Sequence, residues 1–394
     1  MLTSAGCAQR RKRLWDALPE PCDALLLADP QHLIYFANYA QSPFVFRSAD
    51  AGALLVLEPD RSTLFSDNVA ESFWEHAHVD EIVAPLWYNG KSSAGHRQGV
   101  RVRAAVERLT KQPVPLRVGI ERASVPCELV EALRATCPGL TLVDLDPVIR
   151  PLKRVKDADE LAVLMKSMKA GEAGQAAALD QVRPGMSELE VYLLVQNAAM
   201  QAIGEQAIVY GDFATGPRCA TERGGPPGLR KIERGDLCLL DFSVVVHGYR
   251  GDFTNTFVVD GEPTPRQRTF FEACASALKI GEAQLKPGNS ARAVDDAIRA
   301  HMDSLGLLPF YLSHSGHGLG LGHPDPPYFV SESDDTILEG DVVALEPGLY
   351  EEGVGGMRFE RNYHIVDGGY ETLSLHAIEI SQSRTGPGKA QASS

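Results

Sequence analysis

The chain has 394 residues, 44% hydrophobic and 23% charged, enough apolar material for more than one packed core and too much for a disordered or collagenous polymer. Its net charge of −14 argues against an extended polyanion such as DNA as a partner, and no apolar run approaches the roughly 18 residues of a membrane-spanning helix. Seven cysteines, scattered singly and without a C-x-x-C pair, predict a reduced, cytoplasmic protein.

Residues 1–154 hold 18 basic and 18 acidic side chains, so the whole acidic excess lies beyond them, where 20 face 34. A solvated acidic face produces such a bias, and so does a carboxylate-lined cation site. The first residues, MLTSAGCAQRRKRLW, place their charges after Cys7 and have no apolar segment, so no secretory signal is expected.

In chain order, Arg10 to Leu18 predicts a basic amphipathic helix, and DALLLA, HLIYFANYA and AGALLVLE predict short strands. HRQGVRVRAAVERLTK then suits a helix, LRVGIE a strand, CELVEALRATC a helix and LTLVDLD a strand. This alternation predicts an α/β domain over residues 1–150. The charged link RPLKRVKDADE opens a long helical stretch and a second domain, over 151–385. Ser187 with Glu190 three residues on forms a capping box before an apolar-periodic run, and Thr264, Pro265 and Gln267 mark another helix start. DLCLLDFSVVV and DFTNTFVVD read as a hairpin turning at HGYRG, and DVVALEPGLY and MRFERNYHIV as later strands. Residues 386–394 have the composition of a disordered tail.

Five residues carry the chemistry. Asp241 lies inside an apolar strand, where an ionised carboxylate needs a compensating partner. Asp252 follows eleven residues later on the returning strand, so the two carboxylates can share a face, and their repulsion calls for a shifted pKa or a multivalent cation. His317 stands in HSGHGLGLGHPDPP, flanked by His314 and His323, where Gly318, Gly320 and Gly322 leave room for close approach. Glu346 ends the strand VVALEPG, and Glu360 lies in MRFERNYHIV. Singly, each has an ordinary explanation as a turn, surface or salt-bridge residue. Together, four carboxylates and an imidazole suit two hard-to-borderline divalent ions better than a thiolate zinc site.

The ordered set resembles the pita-bread fold metallohydrolases of peptidase family M24, the group of methionine aminopeptidase, aminopeptidase P, prolidase and creatinase. That family runs Asp, Asp eleven residues on, His in G-H-G-x-G, Glu in E-P-G and Glu in R-x-E, and Asp241, Asp252, His317, Glu346 and Glu360 fall at those positions. The resemblance covers nearly the whole chain. It implies an α+β, pita-bread catalytic domain preceded by a smaller creatinase-type α/β domain, and a homodimer. It also implies two divalent cations, Mn²⁺ first with Co²⁺, Zn²⁺ or Fe²⁺ as alternatives, with Glu346 beside the attacking water and Arg358 orienting the carboxylates. The activity implied is cleavage before proline in small peptides.

Three departures bear on substrate. The peptidases' second histidine, seven residues after the first, is Pro324 here, with His323 beside it. Their histidine ahead of the first Asp strand is Arg218, and the acid after the last ligand is Arg361. His323 is therefore expected to serve in proton transfer, and Arg218, His314, His323 and Arg358 to bind substrate, with Arg218 favouring a free carboxylate. The alternatives are a creatinase-type C–N hydrolase or a lyase acting on a small metabolite, and a non-catalytic binding module.

Overall fold

Two short polar side chains decide how the chain begins. In the computed structural model, which describes residues 1–40, 52–112, 116–221 and 224–382, Thr3 accepts the Gly6 N–H and caps a helix over Ser4–Asp16. This helix starts well ahead of the expected Arg10. Asp29 then accepts the Gln31 N–H, with Pro30 at the first helical position, so Pro30–Ala37 is a helix and not the expected strand. Its apolar run fits either period, and the Asp-Pro start signal decides between them.

Internal packing divides the chain into one unit of Met1–Lys153 with Asp157–Glu160 and another of Arg154–Lys156 with Leu161–Ser394. The expected boundary at residue 150 falls inside a short helix, Asp146–Leu152, that stays with the first unit. The expected tail, 386–394, lies outside the described residues. No helix among the described residues is long and apolar enough to cross a membrane, and all seven cysteines are free.

The first unit is a six-stranded sheet of β1 (Ala24–Leu27), β2 (Leu54–Glu58), β3 (Arg61–Phe65), β4 (Glu81–Val83), β5 (Arg117–Ile120) and β6 (Thr141–Asp144), ordered β4-β3-β2-β1-β5-β6. Helices Arg97–Leu109 and Cys127–Thr136 supply Val102, Leu109, Leu129 and Leu133 to a core with Leu26, Val56 and Val118. Arg10 is fully buried, donating to the Tyr35 carbonyl at 2.7 Å and to Asp157 and Asp159 at 3.0 and 2.8 Å.

The second unit has ten strands among the described residues. A three-stranded sheet, β7 (Ile208–Thr215), β8 (Leu237–Val246) and β9 (Tyr249–Val258), runs in chain order. A five-stranded sheet contains β10 (Gly316–Gly318), β11 (Asp325–Phe329), β12 (Val342–Leu345), β15 (Arg361–Val366) and β16 (Gly369–Thr372), and β13 (Gly348–Glu351) pairs with β14 (Gly355–Arg358). Glu346-Pro347 breaks one expected strand into β12 and β13, and Phe359-Glu360 breaks another into β14 and β15. Helices Ala158–Gln181, Glu188–Ile203, Pro265–Glu282 and Ala291–Ser304 accompany these sheets, and both expected capping boxes form. The β8–β9 turn is the pair His247–Gly248, at φ of 48° and 87°. Positive φ at both positions is the type I′ turn that matches strand twist.

Burial alone would raise the Asp159 carboxyl, but hydrogen bonds from Arg10 and the Thr3 N–H outweigh it and bring it down to about 2. A folded value below the unfolded one of about 3.9 gives stability that is complete above that pH and fades as pH falls toward about 2. Arg10→Ala is therefore expected to cost about 3–5 kcal/mol of unfolding free energy at neutral pH, read by urea denaturation. The gap to the parent should narrow below about pH 4.

Candidate metal centre

Side-chain alternation builds one wall of the site. Tyr210, Ser243 and Asp252 stand opposite one another across β7, β8 and β9, and so do Asp212, Asp241 and Thr254. Alternate residues of a strand share a face, so all six project from one side of the sheet. Phe213, Phe242 and Phe253 project from the other, with successive ring centroids 5.8 and 5.9 Å apart. The sequence LLDFSVV thus pins its phenylalanine into a core and turns Asp241 the opposite way.

The other wall comes from β10 and β12. His317 sits between two glycines in β10, which has a neighbouring strand on each side. A Cβ on Gly316, whose φ is +149°, would lie 2.0 Å from the Ala344 carbonyl oxygen of β12. One on Gly318 would lie 2.1 Å from that of Pro326 in β11. The G-H-G sequence is therefore what allows three backbones to close around the imidazole. His317 Nδ1 faces its Gly318 neighbour's carbonyl at 3.0 Å, which leaves Nε2 toward Glu346 Oε1, 3.2 Å away.

Seven side chains meet. Donor atoms of Asp241, Asp252 and Glu360 lie within 4.8 Å of one another, as do those of Asp252, His317 and His323, and those of His314, His317 and Glu346. His314 Nε2 is 2.9 Å from Glu346 Oε1, and His323 Nε2 is 2.6 Å from Asp252 Oδ2. Arg358 pairs with Asp241. All but Glu360 line a cleft of about 310 Å³, together with Tyr210, Asp212 and Ser243. A further acidic group, Asp157, Asp159 and Glu160, is neutralised by Arg10 and Arg13.

Crowding drives these charges apart. Burial, and then the charges of Asp252 and Glu346, push the Glu360 carboxyl far above its ordinary value. Burial and Glu346 likewise raise Asp252, against the opposing pull of His317. Burial would also raise Glu346, but His314 and His317 outweigh it and hold it at about 2. His317, which burial alone would lower, is lifted to about 9 by Glu346 and Asp252. Glu360 Oε2 accepts the Thr254 hydroxyl at 2.9 Å, and Oε1 is buried without a hydrogen-bond partner.

Arg218 does not reach this cleft, which corrects its reading as a substrate ligand. Its guanidinium pairs with the fully buried Glu188 and donates to the carbonyls of Gly224 and Pro226 at 2.8 and 3.1 Å. Glu188 also accepts the Thr215 and Gly228 N–H groups, so the pair fastens the loop between β7 and β8. Arg361 donates to the Ser374 carbonyl at 3.1 Å and is also off the cleft. His314, His323 and Arg358 do line it. Tyr210 and Asp212 carry no local signal, because IVYGDFAT has too little alternation to read as a strand, whereas Ser243 lies two residues from Asp241 on the same face of β8.

The profile of metallopeptidase family M24 matches residues 162–367, and that of the creatinase/prolidase N-terminal domain matches 10–155. An Xaa-Pro dipeptidase of Pyrococcus furiosus is 31% identical over 364 residues, covering 91% of this chain and 95% of that protein. A Pyrococcus horikoshii Xaa-Pro dipeptidase is 31% identical over 269 residues, covering 67% and 74%. Among solved structures, an Xaa-Pro dipeptidase from Bacillus anthracis superposes with a TM-score of 0.80 at 22% identity, over 95% of this chain and 99% of that one.

The glycine argument makes a direct forecast. Gly318→Ala is expected to destabilise the protein by about 1–3 kcal/mol through overpacking between β10 and β11. Calorimetric unfolding should show a lowered midpoint, and an unchanged midpoint would refute the close-approach account.

Proposed function

Because this chain belongs to metallopeptidase family M24, and is accordingly a metal-dependent hydrolase with a creatinase-type first domain and a pita-bread second, we propose that it cleaves the bond before proline in dipeptides and other short peptides. One observation carries the reading: Asp241, Asp252, Glu346 and three imidazoles line one cleft, with Glu360 clustered against the two aspartates, in a chain 31% identical, over most of its length, to an Xaa-Pro dipeptidase. The cleft volume, about 310 Å³, suits a ligand of dipeptide size.

The donor set fits a pair of divalent cations. Glu360 Oε1 is buried and unpartnered, and Asp252 and Glu360 are driven toward protonation by burial and mutual repulsion, a conflict that cations relieve. Asp241, Asp252, His317, Glu346 and Glu360 would hold them, and the carboxylate excess favours Mn²⁺, with Co²⁺, Zn²⁺ or Fe²⁺ as substitutes. Such ions, when bound, polarise the scissile carbonyl and acidify a water.

The chain's own groups supply the rest. Glu346 Oε1, fixed between His314 and His317, takes the proton of the attacking water and passes it to the proline nitrogen as the bond breaks. His323, on the cleft wall beside Asp252, donates to the substrate's carbonyl oxygen. Arg358 pairs with Asp241 and keeps it aimed inward. We place the enzyme in the cytoplasm as a homodimer, and its free cysteines suit that reducing compartment.

A second reading, a creatinase-type C–N hydrolase or a lyase, is favoured by Arg218, which stands where the peptidases it resembles carry histidine and is committed to Glu188. Proline release decides between them. Mn²⁺-loaded protein is expected to liberate proline from Ala-Pro, to lose the activity to EDTA, and to lose about 10²–10⁴ in kcat on Glu346→Ala. Stoichiometric metal without proline release from any Xaa-Pro substrate would transfer the proposal to the second reading.

A further inference from the structure

Tyr210 and Asp212 line the cleft but have no part in the chemistry above. Asp212 stands directly opposite Asp241, on the side away from β9, about one strand spacing of 4.8 Å beyond it. Its Oδ1 accepts the Gly225 N–H at 2.9 Å. The carboxylate has no other hydrogen bond or ion pair among the described residues.

Each other carboxylate lining the cleft has a basic neighbour. Asp241 has Arg358, Asp252 has His323, and Glu346 has His314 and His317. Asp212 has none among the described residues. Its aim is fixed from behind, because Arg218 grips the carbonyls of Gly224 and Pro226 on either side of the donating Gly225. Two residues earlier on the same face, Tyr210 is 41% exposed; the Arg250 guanidinium lies 5.1 Å from its ring centroid, and the exposed remainder offers an apolar wall to an alkyl stem.

We propose that Asp212 is a specificity-determining residue that selects substrates whose first residue carries a cationic side chain, arginine or lysine, with its stem along Tyr210. The inference rests on the Xaa-Pro reading above. Position distinguishes this cation from the substrate's α-ammonium group. That group is one carbon from the scissile carbonyl and must sit at the ligand cluster, whereas Asp212 lies a side chain's reach beyond Asp241.

The test uses Mn²⁺-loaded full-length protein and an isosteric pair, Arg-Pro and citrulline-Pro. Wild type is expected to favour Arg-Pro by about tenfold in kcat/KM, and Asp212→Asn to bring that ratio close to one. Circular dichroism and the calorimetric midpoint check that the variant is folded, and Asp212→Glu, which restores the charge, should recover much of the ratio. Calorimetric binding of L-arginine against L-citrulline gives a readout without turnover, with the preference for arginine lost in Asp212→Asn. A wild-type ratio near one overturns the proposal, as does a preference that survives Asp212→Asn. A uniform loss on all dipeptides, with the ratio retained, also overturns it. If no dipeptide is cleaved yet arginine binding depends on Asp212, the Xaa-Pro reading fails and the cation site stands.

Discussion

The repulsion among carboxylates held on one face of a three-stranded sheet governs the second unit. Asp212, Asp241 and Asp252 stand side by side because the opposite face is occupied by Phe213, Phe242 and Phe253, each fully buried. A strand cannot turn one side chain without turning its neighbours, so burying the phenylalanines forces the acids together. The gain from hiding three aromatic rings is of the order of 1.5–3 kcal/mol each. That gain is what holds like charges at a spacing they would otherwise avoid.

The remainder of the centre answers that constraint. Arg358 at the end of β14, His317 within β10, and His314 and His323 from loops each meet a carboxylate. Even so, Glu360 is left with a bare oxygen and Asp252 is pushed toward its neutral form. Protein cations alone do not balance the cluster, whereas divalent ions carry enough charge on few enough atoms to do so. The glycines around His317 serve the same end, since any side chain there would hold β10 away from its neighbours and draw the imidazole back.

Elsewhere among the described residues, the most deeply buried arginines meet acid. Arg10 with Asp157 and Asp159, Arg97 with Asp67, and Arg154 with Asp341 are all pairs with little or no exposure. Arg218 with Glu188 follows the same rule. This is the reason a position that reads as a substrate ligand turns out to fasten a loop. A guanidinium, permanently charged, settles wherever a buried carboxylate and free carbonyls are nearest.

How much of this was legible in the residues depended on range. Capping boxes at Ser187 and Thr264, the β8–β9 hairpin and the five ordered ligands rest on neighbours a few residues apart or on a motif, and these were readable. The Asp29-Pro30 start was equally local and was outweighed by an apolar run that suits strand or helix. By contrast, β7 has no clear period of its own and is a strand because β8 offers it hydrogen bonds, so Tyr210 and Asp212 came to the cleft only with the tertiary fold. Likewise nothing near Arg218 in sequence announces Glu188, thirty residues earlier. The sequence by itself determined which residue types converge, because ligand chemistry and strand alternation are written locally. Only the folded chain decided which charges face one another, because pairing energies depend on distances between segments that no local pattern encodes.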